Sequence, residues 1–230
     1  MKRWIVTATF VLTLFGLSFT TTQSHDVITT RITWDREVSR IFNERCVSCH
    51  REGGTSFALT TYAEARPWAV AIKEEVLTRR MPPWGAVKGF GDFRNDQALT
   101  GEQLEMITDW VEGGVPEGNA KDLEAAPKVS DSFPSQPPGD GLAASGDFAV
   151  SHPFVLDGIW PQKVADKQSV QITAELPDGR VEPLLWLYEY RKQFAHPFLF
   201  KTPMPLPAGT VIKGIPSDSS FVLLPLSPAE

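Results

Sequence analysis

The sequence predicts an α+β chain in two domains, a small all-α unit followed by an antiparallel, sandwich-like β unit. Three observations carry that prediction. From Trp34 to Glu112 the apolar residues recur at helical spacing, whereas from Phe148 onward they alternate with polar ones. Between these stretches, Asn119 to Asp147 holds Pro127, Pro134, Pro137 and Pro138 among Gly, Ser and Ala, the composition of a semi-rigid linker. The expected layout is a leader over 1–24, a helical domain over 33–118, a linker over 119–147 and a β domain over 148–230.

The leader is read from its charge order. Lys2 and Arg3 precede an apolar run from Trp4 to Phe19, and Thr20 to Ser24 follows as a polar, small-residue exit. That is the layout of a secretory signal peptide, and the run falls short of the roughly 20 apolar residues a membrane span needs. Export to the periplasm is therefore expected, with a tether through an uncleaved leader as the alternative. The net charge of −6 over 230 residues argues against a nucleic-acid partner.

Trp34 to Arg45 reads as the first helix, with Thr33 as N-cap and Asp35 and Glu37 in its positive first turn. Val38, Ile41 and Phe42 form its apolar face, and Cys46 extends that face by one turn. Gly53-Gly54 makes a loop of the stretch after residue 50, from which Phe57 and Leu59 are expected to fold back. Thr61 and Glu64 form a capping box, and Pro67 restarts helical structure at a favoured first position. An apolar stripe of Trp68, Ala69, Ile72, Val76 and Leu77 then runs toward Arg79 and Arg80. Met81-Pro82-Pro83-Trp84 ends that helix, because two prolines cannot continue it. An irregular loop over Gly85 to Ala98 leads to a second capping box, Thr100 with Gln103. The helix it opens carries Leu104, Ile107 and Val111 on one face, flanked by Met106 and Trp110, and stops at Gly113-Gly114.

Within this unit, Cys46-Val47-Ser48-Cys49-His50 reads C-x-x-C-H, the pattern for covalent haem attachment. Two thiols three positions apart on a turn can reach both vinyl groups on one porphyrin edge, and the next residue falls under the iron. Three other readings compete. A thioredoxin-like pair would sit in a βαβ pattern that is missing here, and a zinc site would need ligands beyond the chain's only two cysteines. A disulfide between them would close a very small loop and contribute little. The reading of choice is one haem c, with His50 as iron ligand. Met81, a soft thioether held at a rigid break, is the expected ligand on the opposite face. Arg79 and Arg80 are candidate contacts for the haem propionates, or else a solvated helix end favoured by the dipole.

Residues 33–118 resemble a class I-type cytochrome c domain. They are more closely similar to exported cytochrome modules carrying LTTYAEARPWAVAIKEEVLTRRMPPW after the haem motif. The resemblance implies Cys46 and Cys49 as thioether anchors, His50 as proximal and Met81 as distal ligand. One departure stands out. Such domains commonly orient the proximal imidazole with a proline carbonyl soon after the motif, and no proline lies between Arg51 and Arg66, so that acceptor is unassigned.

Beyond the linker, Val170, Ile172, Ala174 and Leu176 alternate into a Pro177-Asp178-Gly179 turn, and Val181 to Tyr190 returns as a strand. Residues 198–201, 210–215 and 221–226 read as further short strands. The stretch LPDGRVEPLLWLYEYRKQF…FKTPMPLPAGTVIKG resembles part of the C-terminal β domain of copper type II ascorbate-dependent monooxygenases. Those enzymes bind copper through a His-x-His pair and a methionine. The corresponding strand here reads Ala165-Asp166-Lys167-Gln168-Ser169-Val170, and His152, His196 and Met204 lack the paired spacing, so no copper is expected.

The function expected from all this is a periplasmic monohaem carrier of single electrons between redox partner proteins, with the β domain for docking; whether it also has an enzymatic reaction is left open by the sequence. Two alternatives stay open: a haem-based enzyme or sensor with a displaceable distal ligand, and a non-catalytic interaction protein.

Overall fold

The structure, a computed structural model, describes residues 31–125, 137 and 140–226. The expected leader and most of the expected linker lie outside them. The described chain mixes helices with two antiparallel four-stranded sheets. No described helix is long and apolar enough to cross a membrane.

The first helix begins as one π turn, Trp34–Val38, and continues as α1, Ser39–Arg45. The Thr33 carbonyl accepts from both the Glu37 and Val38 amides at 3.2 Å, which widens that turn. Thr33 makes no side-chain cap, and the Glu37 carboxylate accepts from the Thr33 amide instead at 2.9 Å. Both expected capping boxes form. Thr61 and Glu64 open α2, Tyr62–Ala65, and Thr100 and Gln103 open α4, Gly101–Glu112. Pro67 sits in a 3₁₀ turn, Arg66–Trp68, ahead of α3, Ala69–Leu77. That turn shifts the helical phase, so Ala69 and Val76 are buried while Trp68 and Leu77, expected on the apolar stripe, are exposed.

α3 and α4 end in the same way. Arg79 is left-handed at φ 56°, and the Arg79 and Arg80 amides bond back to the Val76 and Glu75 carbonyls at 3.1 and 2.9 Å. After α4, Gly114 takes that role, with the Gly114 and Val115 amides bonding to Val111 and Trp110. Each is a Schellman closure of orphan helix carbonyls. The helical core is aromatic: Trp34 lies 4.9 Å from Phe42 and 5.8 Å from Trp110, and all three are fully buried. The Pro116 carbonyl accepts from both the Trp34 amide and the Trp110 indole at 3.0 Å, joining the first helix to the segment that follows the last.

Eight strands follow: β1 Leu142–Ala144, β2 Phe148–Ala149, β3 Phe154–Lys163, β4 Val170–Glu175, β5 Val181–Leu187, β6 Phe198–Leu206, β7 Val211–Lys213 and β8 Ser220–Pro225. They form sheets of order β1-β8-β3-β6 and β2-β7-β4-β5. Leu156, Ile159, Phe198, Phe221 and Leu223 of one sheet share a core with Ile172, Leu184, Leu185, Leu187 and Ile212 of the other. β1 lies inside the stretch expected to be linker. β3, the longest strand, is not legible as an alternating run, because its register shifts around Gly158 and Trp160 is buried in a separate cluster with Val222 and Leu224.

The loop expected as irregular, Gly85 to Ala98, is where the helical and β parts join. Ala86 bridges Leu187 at the β5 edge, and Phe93 bridges Phe200 at the β6 edge. The same loop therefore adds to one edge strand of each sheet, and Ala86 and Phe93 are buried in the β core. Gly91 permits this approach: it is left-handed at φ 85°, and a Cβ there would meet the Leu184 carbonyl at 2.6 Å. Asn95 completes the joint as a peptide mimic, donating to the Pro197 carbonyl at 2.7 Å and accepting from the Leu199 amide at 3.0 Å. Arg94 forks onto Asp157 at 2.8 and 2.7 Å.

Candidate functional site

Cys46 is the C-cap of α1, and the motif after it is one tight turn. The Cys49 and His50 amides both bond to the Cys46 carbonyl, at 3.1 and 2.9 Å. The two thiols and the imidazole thus issue from a single turn whose backbone is internally satisfied. The loop beyond folds back on it, since the Ser56 amide donates to the Cys49 carbonyl at 3.2 Å and the Leu59 amide to the His50 carbonyl at 3.0 Å. Gly54 makes the closure possible, because a Cβ there would sit 2.4 Å from the Cys49 carbonyl oxygen.

This folding supplies the acceptor that the sequence left unassigned. His50 Nδ1 lies 2.9 Å from the Phe57 carbonyl. A carbonyl carries no hydrogen, so Nδ1 bears the proton and the lone pair is left on Nε2, the nitrogen able to coordinate. No residue type marks such a backbone acceptor, and only the Gly53-Gly54 turn hints at it. The Phe57 ring lies edge-on to His50 at 5.0 Å and 4.9 Å from Trp68. These two rings stay 50% and 49% exposed, an aromatic surface beside the imidazole. Leu59, expected to join them, is buried in the helical core.

Both cysteines carry free thiols. Burial, and then the neighbouring Cys49, push the Cys46 thiol up to about 12 against the opposing pull of Arg45. A thiol raised in this way is an environment for an inert sulfur rather than for a redox nucleophile. Among the described residues no three His, Cys, Asp or Glu side chains converge as a bare metal ion would need. The donors here differ in kind: one oriented imidazole and two thiols on a single turn, with a thioether further along the chain. Donors of this kind are those a porphyrin iron, which brings four nitrogens of its own, would use.

Met81 and the two arginines lie at a cavity of about 680 Å³, within the range of cofactor pockets, roughly 300–1,000 Å³. Val76, Leu99 and Leu104 form its helical wall, and the Tyr188–Arg191 stretch with His196 and Phe198 forms its β wall. Cys46, Cys49 and His50 do not line it, but Cys46 packs into the same apolar cluster as Val76, Leu99 and Leu104. Arg80 is held by Glu75 through two bonds of 2.9 and 2.7 Å, so its charge is already matched. Arg79 is exposed on the cavity rim. Asp92 and Asp96, two acids of the 85–98 loop, do not line the cavity. In the β unit, His196 is buried, bonds through Nδ1 to the Phe194 carbonyl at 2.7 Å and stacks on Trp84 at 4.9 Å. Met204 packs against the β core, and His152 is exposed.

Compared with known proteins, the chain matches no family model, no curated sequence and no solved structure.

Proposed function

We propose that this chain is an exported monohaem c-type cytochrome that carries single electrons between redox partner proteins in the periplasm. In this reading residues 33–118 are the haem domain and Cys46 and Cys49 the thioether anchors. His50 is the proximal ligand, Met81 the distal ligand, and Arg79, exposed on the cavity rim, is the candidate propionate contact, Arg80 being matched by Glu75. When bound, a haem iron held by His50 and Met81 would supply reversible one-electron oxidation and reduction.

One observation carries the reading: an imidazole one position past two thiols on a single turn, its Nδ1 proton given to the Phe57 carbonyl at 2.9 Å. That bond fixes tautomer and ring orientation and strengthens Nε2 as a donor, the second-shell arrangement that histidine ligands to metals use. The half-exposed Phe57 and Trp68 supply apolar surface for a flat ring system to cover. Met81 contributes a neutral sulfur, which favours the reduced iron and raises the potential. Trp186 and Tyr188, exposed on the β unit beside the loop that begins at Gly85, offer a surface for docking a partner.

The competing reading is a haem enzyme or sensor whose distal ligand leaves during turnover. Carbon monoxide addition to the reduced holoprotein separates the two. The carrier reading expects a slow, incomplete spectral change in the wild type and a rapid, complete one in Met81→Ala. Rapid, complete binding by the wild type would refute it.

A further inference from the structure

We infer that the β unit positions the distal ligand: the Trp186–Arg191 stretch and the ring wall behind it hold Met81-Pro82-Pro83-Trp84 in place. The inference rests on reading Met81 as that ligand and adds what keeps its thioether aimed.

Met81 sits between two anchors. On its upstream side the Schellman closure of α3 takes in the next residue as well, so that the Met81 amide donates to the Glu75 carbonyl at 3.1 Å. Downstream, the chain is held mainly by the β unit, with Phe93 of the 85–98 loop edge-on to Trp84 at 5.9 Å. The Trp84 ring stacks on His196 at 4.9 Å and 29°, and meets Phe198 edge-on at 4.9 Å. The Tyr188 amide donates to the Gly85 carbonyl at 2.9 Å, and the Val87 amide to the Trp186 carbonyl at 2.8 Å. Between the anchors only Pro82 and Pro83 intervene. Each has a fixed φ and neither donates a bond, so the segment has few conformations to explore. The Trp84 amide folds the turn shut by donating to the Pro82 carbonyl at 2.8 Å. One contact spans directly from the β unit to the residue before the methionine: Arg191 Nη1 reaches the Arg80 carbonyl at 3.4 Å.

The chemical consequence follows from the ligand. A thioether is a soft, neutral donor that binds oxidised iron weakly, so its hold depends on its being presented without further ordering. Loosening Trp84 or Arg191 adds conformations to the segment in which the sulfur is off the metal, and the oxidised form feels this first. These are positioning residues, because neither is asked to touch the iron.

The test uses the full-length oxidised holoprotein titrated with imidazole, a probe that competes for the distal site, while the ferric methionine charge-transfer band is followed. Arg191→Ala is a surface change that leaves the core intact, and Trp84→Leu keeps apolar bulk against Phe198. Each is expected to raise imidazole affinity about tenfold and to weaken the band, with Arg191→Lys recovering part of the loss. Lys213→Ala removes an exposed ion pair with Glu175 elsewhere in the β unit and is expected to titrate as wild type. If Arg191→Ala and Trp84→Leu both match the wild type while its band is present, the inference is overturned and Met81 ligation stands. If the wild type has no such band, Met81 ligation itself fails and the inference with it.

Discussion

Phe93→Ala probes the joint between the helical and β parts most sharply. The Phe93 ring is 8% exposed and lies 5.4 Å from Phe200, 5.6 Å from Phe198 and 5.9 Å from Trp84. Its backbone neighbours complete a short ladder with β6, Lys201 donating to Asp92 and the Arg94 amide to Leu199, each at 2.9 Å. About 150 Å² of ring surface removed from water, at roughly 25 cal/mol per Å², amounts to about 4 kcal/mol. Phe→Ala replacements in cores cost about 3–5 kcal/mol, so the two routes agree. Against a typical total of about 5–15 kcal/mol this is a large fraction. Urea unfolding is the assay, followed by far-ultraviolet dichroism and by tryptophan fluorescence. The expected result is a loss of about 3–4 kcal/mol with the slope in urea unchanged. A loss below about 1 kcal/mol would mean that Phe93 is not held in the β core, and the joint would have to be redrawn.

Two further predictions concern the site and its surroundings. Gly54→Ala places a methyl against the Cys49 carbonyl, so the loop that carries Phe57 onto His50 must move; a weakened, blue-shifted ferric spectrum and a stability loss of about 1–3 kcal/mol are expected by spectroscopy and thermal melting. His196 is buried, which lowers its pKa from 6.5, partly offset by its bond to Phe194. The unfolded chain then takes up a proton near pH 6.5 that the native chain refuses, so this contribution is present above pH 6.5 and is lost as pH falls toward the native value. His196→Gln should flatten the fall in melting temperature below pH 6.5, and an unchanged slope would remove this role from His196.

What could be read from residues alone divides along a physical line. Signals carried by side chains near in sequence were legible. Thr61 with Glu64 and Thr100 with Gln103 cap as their spacing predicts, Gly114 closes α4, and the 177–179 turn reverses the chain between β4 and β5. Features set by distant backbone were not. The acceptor for His50 is a main-chain carbonyl, which any residue at position 57 would supply. The 85–98 loop has no periodicity because it is ordered from outside, by two sheet edges roughly a hundred residues downstream. β3 was obscured because Gly158 and Pro161 interrupt its run and both of its faces are buried in part. Trp68 and Leu77 leave the expected apolar stripe for a smaller reason, the 3₁₀ turn that rotates α3 against it.

The account stands on Cys46 and Cys49 carrying a haem, and a denaturing gel of the protein from a host with c-type haem maturation tests that directly. The account predicts a haem-staining band that survives denaturation, one haem per chain, loss of the stain in the Cys46→Ser, Cys49→Ser double variant, and neither cysteine open to alkylation. A colourless band with both thiols alkylated would contradict it.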